Sequence, residues 1–212
     1  MMQSMQAGLQ HLVHFFHDER YRFKTITMAA ASETDDICDA IASRRGWFWV
    51  RYSPRERDGY MQRRRFVERA MYDDYTHAFG GLTGTVPVYC YLIPDLTEVK
   101  AIELAQRRTR FGETEPHVVM VKVEDIDDTR NMTFTLHDSH TSYRARMTDA
   151  GLAFGGDSDV PDALPDHGKV FPFSMIEQIH AVYGARPISY EVQFWDHAVL
   201  ERVRHIRPMR GT

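Results

Sequence analysis

The stretch from about Arg55 to Phe79 constrains the chain most. Tyr60, Val67, Met71, Tyr75 and Ala78 recur there every three to four residues, between a Ser53-Pro54 turn and a Gly80-Gly81 stop. This spacing predicts a long amphipathic helix whose apolar stripe must be buried against another layer. Around it lie short runs of aromatic and β-branched residues, Trp47 to Tyr52, Pro87 to Leu92, Met132 to Leu136 and Ile188 to Trp195, which read as strands. Lys24 to Ala29 reads as a further short strand, and Leu9 to Phe16 as either strand or helix. His117 to Glu124, nearly continuous in valine and methionine, has the pattern of a central strand buried on both faces. Ser32-Glu33-Thr34-Asp35 and Ser174-Met175-Ile176-Glu177 have the form of helix-capping sequences, and Asp95 opens another helix running to Arg108. Gly155 to Gly168 has no periodicity and reads as a loop. The expected fold is α+β: one domain over residues 1–212, a mixed sheet of about five to seven strands with helices packed on it.

With 212 residues, 43% hydrophobic and 26% charged, the chain is large enough for a real core. A net charge of -4 excludes a generally basic nucleic-acid coat. The basic residues are nevertheless unusual in kind and place. All but Lys24, Lys100, Lys122 and Lys169 of the 26 are arginine, and nine arginines fall in Arg44 to Arg69 against Glu56, Asp58 and Glu68. If Arg57, Arg63, Arg64 and Arg65 line the outer face of the long helix, they would bind phosphates, with Trp47, Trp49 and Tyr52 near enough in sequence to stack on bases. The competing reading is a solvated face paired with its own acids. Two cysteines, Cys38 and Cys90, cannot build a disulfide framework. No apolar run approaches the roughly 20 residues that span a bilayer. A soluble protein of the reducing cytoplasm, with no membrane partner, is expected.

Chemistry-bearing residues are scattered. His11, His14 and His17 are spaced so that they do not share one helical face, and His137-Asp138-Ser139-His140 is too short to supply a full coordination shell, so no metal site is expected. No nucleophile elbow, Walker loop, dinucleotide fingerprint or zinc-protease motif is present. Glu191 stands out. The alternation from Ile188 to Trp195 puts it beside Ser189 and Gln193 on the face away from the core, where a carboxylate can hold a sugar hydroxyl or act as a general base. The plainer reading is a solvent-facing or cross-strand-paired acid. Asp138, Ser139 and Ser142 form a second polar group, equally readable as turn capping.

Several pieces resemble an uncharacterised bacterial protein family over about residues 55–200: Tyr60 to Arg64 with Glu68, Gly80-Gly81, Pro87 to Tyr89, Thr133 to Thr135 with Asp138-Ser139, His167 to Phe171, Ile176-Glu177, Tyr183-Gly184 and Tyr190 to Trp195. This resemblance supports a unit of fold without a mechanism. A looser one is to the ADP-ribosyltransferase toxins that modify DNA, through Pro87 to Leu92, the helix after it, and Glu191 in a late strand before a short helix. It implies an enzyme using NAD with a nucleic-acid or protein acceptor, Glu191 orienting the nicotinamide ribose, and His14 and Ser139 beside it. The histidine or arginine strand that opens such enzymes has only His14 as a counterpart here, and their glycine-rich nicotinamide loop has none. Two other classes stay open: a non-catalytic binding module acting through the arginine-rich helix 55–79, and a structural or assembly protein.

Overall fold

A computed structural model describes residues 8–16, 19–43, 51–110, 117–152, 164–186 and 188–208. Its strands are β1 (His11–Phe16), β2 (Val88–Leu92), β3 (His117–Lys122), β4 (Met132–Leu136), β5 (Phe171–Pro172), β6 (Tyr190–Phe194) and β7 (His205–Ile206). They form one sheet in the order β5-β4-β6-β2-β1-β3-β7. Every ladder is antiparallel; the sheet is mixed only through an isolated parallel bridge between His137 and Tyr190. The helices are α1 (Ala31–Ala42), α2 (Arg57–Phe79), α3 (Glu98–Arg110), α4 (Ser139–Ser142), α5 (Arg144–Asp149), α6 (Ile176–Tyr183) and α7 (His197–Arg202). The fold class is α+β, as expected. Among the described residues no helix is long and apolar enough to cross a membrane.

Strand alternation explains the layering. One face of the sheet carries Leu12, Cys90, Leu92, Val121, Phe134, Val192 and Phe194, and packs against Ile176 and Ile179 of α6 and Val199 and Leu200 of α7. The opposite face is shared between two covers. Over β4, β6 and β2 lie Val67, Met71 and Tyr75 of α2 with Met147 of α5, meeting Trp195 and Tyr89. Over β1 and β3, Ala101 and Leu104 of α3 meet Val13 and Met120. Each fully buried Leu, Val or Phe in these layers stabilises the fold by about 1.5–3 kcal/mol relative to exposure.

Several expectations change. Lys24 to Ala29 is no strand: it turns through a short 3-10 segment at Ile26–Met28 and leads into α1. Ser32 does not cap that helix, because the N-cap position is Ala30 and the Thr34 hydroxyl donates back to its carbonyl at 3.0 Å. Ser174 likewise lies inside a 3-10 turn, Phe173–Met175, and the α6 N-cap is Met175 with no side-chain cap. β3 is next to the edge strand β7; the strands buried along their whole length are β4 and β6. A continuous apolar run does not distinguish a central strand from one covered on both faces near an edge. Leu9 to Phe16 resolves as strand β1. Trp47 to Val50, His17 and most of the Gly155–Gly168 stretch lie outside the described residues.

β1 pairs with β3 along all six of its residues but with β2 only at Leu12 and Val13. Beyond Val13 the two strands part.

Candidate functional site

The split between β1 and β2 opens into a cleft of about 450 Å³. His14, Phe15 and Phe16 of β1 and Tyr89 of β2 form its floor with Arg64 of α2. Tyr21, Ile26, Met28, Ile37 and Ile41, from the chain between β1 and α2, roof it, and Lys24 and Glu33 bring charges of opposite sign. The volume is in the range of small-molecule sites, as is a mostly apolar lining with a few polar groups.

His14 bridges the parted strands. Its Nε2 accepts from the Phe23 amide at 3.0 Å, and its Nδ1 lies 2.8 Å from the Tyr89 carbonyl. An amide can only donate and a carbonyl can only accept, so the ring is neutral with its proton on Nδ1. The imidazole therefore replaces the missing ladder bonds, and both its nitrogens are occupied.

Beneath the cleft lies a buried ion pair with several hydrogen-bonding partners. Arg64 Nε is 3.2 Å from Glu68 Oε1, and the guanidinium donates to the Tyr60 hydroxyl at 3.1 Å and the Thr25 hydroxyl at 2.9 Å. It also sits 4.4 Å from the centre of the Tyr89 ring, a cation–π distance. Glu68 accepts from the Thr27 and Tyr89 hydroxyls, both at 3.0 Å. Burial raises the Glu68 pKa, while Arg64 and the two hydroxyls act to lower it. Burial, helped by Glu68, likewise pushes the Tyr89 phenol well above its ordinary range.

Glu191 is not where its alternation implied. The polar face of β6 is covered by α2 and α4, leaving Glu191 4% exposed. Its Oε1 accepts from the Ser139 backbone amide at 3.1 Å. Burial, with Asp138 nearby, pushes its pKa up to about 8 against the opposing influences of Ser139 and Arg64. Around it, Thr133 donates to Gln193 at 2.9 Å, Trp195 Nε1 donates to Thr133 at 2.8 Å, and Gln193 Nε2 donates to Thr135 at 3.2 Å. A polar stripe that looked solvent-facing is a closed hydrogen-bonded layer. His140, stacked on Tyr60 with ring centres 5.9 Å apart, is held down to about 4, chiefly by burial and further by Arg64, Arg51 and Arg63 against Asp138.

Of the three expected catalytic residues, Ser139 and Glu191 meet each other and His14 walls the cleft. Glu191 and Ser139 are not among the cleft-lining residues; Tyr91, the β2 partner of Glu191 in register, lies two residues along the strand from cleft-lining Tyr89. The four arginines expected on an outer face divide. Arg64 is turned inward, and Arg57, its side chain 12% exposed, clamps Asp35 at 3.0 Å and Asp39 at 2.8 Å on α1. Arg63 is half-buried, and Arg65 alone of the four is exposed. The helix does not present them as one solvent-facing row. Sequence reading missed Glu68, Tyr89, Thr25 and Thr27. Arg64 and Glu68 did carry a signal, being two charges one turn apart on the stripe defined by Tyr60, Val67, Met71 and Tyr75.

Among the described residues no group of three or more histidine, cysteine, aspartate or glutamate side chains comes together as a metal-ligand set. No protein-family model, curated protein or solved structure matches the chain.

Proposed function

We propose that this protein is an ADP-ribosyltransferase-like enzyme that takes NAD in the cleft between β1 and β2 and transfers to a nucleic-acid or protein acceptor. The parting of the two strands after Val13 carries the reading, because it makes a ring-lined crevice between neighbouring strands of the sheet. The residues suit such a ligand. Phe15, Phe16, Tyr21 and Tyr52 offer faces for flat rings. Lys24 and Arg64 are the basic groups available to a pyrophosphate, and since Glu68 balances the charge of Arg64, the larger share of anion attraction falls to Lys24.

Bound NAD would supply a glycosidic bond to a good leaving group. The protein's own part is to orient and exclude water: His14 keeps the strands apart at a fixed spacing, and the pair Glu68 and Tyr89 holds the floor. Glu191 lies one strand further in, opposite Tyr91. With its pKa near 8 it is mostly a neutral acid at pH 7 and becomes a base only above that. Exposed Arg55 and Arg65, near the start of α2, are candidates for contact with an anionic acceptor.

Two measurements test this separately. NAD titration should raise the melting temperature, by the equivalent of about 2.7 kcal/mol when the ligand is a hundredfold above its Kd; no shift at any concentration sinks the reading. Incubation with labelled NAD and DNA, RNA or protein should then move label to an acceptor in the wild type, and Glu191, which does not line the cleft, belongs to the chemistry only if Glu191→Gln binds NAD and fails to transfer it. Transfer at wild-type rate by that variant would remove Glu191 from the chemistry while leaving the cleft in place.

A further inference from the structure

The two sides of the cleft are built differently. Its floor belongs to the sheet and α2. Its roof, Lys24 to Ser43, packs in a small apolar cluster of its own, Ile37 and Ile41 with Ile26 and Ala29, bordered outside the segment by Tyr21 before Phe23 and by Tyr52 ahead of α2. That cluster is separate from the layers on the sheet. The roof is tied to α2 by polar contacts: Thr25 to Arg64 at 2.9 Å, Thr27 to Glu68 at 3.0 Å, and Arg57 spanning Asp35 and Asp39. Just before it, Phe23 is buried in the sheet core and held by His14, with a backbone φ of 52. A positive φ at a phenylalanine is a strained reversal of the chain. Rigid anchor, strained corner, self-contained segment and polar fastenings follow one another along the sequence.

We infer that Lys24–Ser43 is a lid that pivots next to Phe23 and is latched to α2 by Arg57 on the outside and by Arg64 and Glu68 on the inside, so that it gates entry of ligand to the cleft. The inference rests on the reading of the cleft as a ligand site. A segment fastened by hydrogen bonds and ion pairs, with no apolar core shared with the sheet, opens locally at lower cost than the strands separate. Both inner latches come from the same buried pair that floors the cleft. A ligand that reaches Arg64 therefore acts on the fastening of the roof, which couples occupancy to closure.

The chain carries its own reporters. Cys38 is fully buried on α1, within electrostatic reach of Arg57 and Asp58, and Cys90 is buried in β2. Opening of the lid uncovers the first; only unfolding of the sheet uncovers the second. The experiment is native-state alkylation of the full-length protein with N-ethylmaleimide, each cysteine followed by peptide mass. Cys38 should react at least about tenfold faster than Cys90, and Arg57→Gln should speed Cys38 about three- to fivefold while leaving Cys90 unchanged. Raising the salt concentration on the wild-type protein should act in the same direction and needs no variant. Equal rates for the two cysteines, or a Cys38 rate indifferent to both Arg57→Gln and salt, overturns the lid. Saturating NAD should slow Cys38 alone. If melting measurements show NAD bound and Cys38 is not slowed, gating by ligand is wrong. Labelling of the free protein decides whether the lid opens; NAD titration decides whether the cleft is an NAD site.

Discussion

Glu191 and His140 titrate in opposite senses, and the sign of each follows from burial. Glu191, with its pKa near 8, stays protonated in the folded protein over a range where the unfolded chain has released its proton. The native state then binds more protons, so stability falls as pH rises from about 4.5 to 8, by an amount on the order of a few kcal/mol. His140, held near 4, is neutral when folded while the unfolded chain takes up a proton, so stability rises with pH from about 4 to 6.5. Above pH 6.5 the Glu191 contribution is no longer opposed by His140. Urea midpoints measured from pH 6.5 to 8 should decline in the wild type and decline less in Glu191→Gln; identical slopes would mean that the carboxyl does not titrate there. Between pH 4 and 6.5, His140→Gln should lose part of the rise.

Glycine supplies a second contrast between single residues. A Cβ at Gly84 would meet the Trp195 carbonyl oxygen at 2.1 Å, whereas one at Gly81 meets nothing within 4 Å. Gly84→Ala should cost about 1–3 kcal/mol or more in chemical denaturation, since the blocking atom is backbone at the end of the central polar layer. Gly81→Ala should fall within about 0.5 kcal/mol of the wild type.

Among the elements, α2 does the most. Its stripe was legible from spacing: Tyr60, Val67, Met71 and Tyr75 are all buried as the periodicity requires, although Ala78 is exposed near the helix end. Its charges were not legible, because an arginine on a helix wheel looks the same whether it faces water or another helix. α1 settles Arg57, carrying Glu33, Asp35, Asp36 and Asp39 in 12 residues with no base among them. The sheet settles Arg64, placing Tyr89 beneath it. The buried pair makes a definite prediction. Arg64→Ala strands Glu68, and Glu68→Ala strands Arg64, each at a cost of about 3–5 kcal/mol, while Arg64→Ala with Glu68→Ala together should cost less than the sum of the singles. Strict additivity in a denaturation cycle would mean that the two do not act as a unit. Arg65→Gln, on the exposed side, is the control and should be close to neutral.

At the scale of the whole molecule, the sheet order explains why local features far apart in sequence become neighbours. β1 and β6 come from opposite ends of the chain, yet only β2 stands between them. His14 and Glu191 each reach β2, one through the Tyr89 carbonyl and the other in register with Tyr91. That arrangement depends on pairing and parting of strands, neither of which has a local signature.

The sequence by itself determined the α+β class, the position of α2 and the pairing-ready stretches at β2, β4 and β6, because hydrophobic periodicity and turn residues act over a few neighbours. Only the tertiary structure decided that the polar side of β6 is an interior layer, that Arg57 and Arg64 serve the fold, and that β1 leaves β2 after Val13 to open the cleft. Those outcomes turn on which surface covers which, and a charge or a hydroxyl takes its meaning from the partner that burial brings to it.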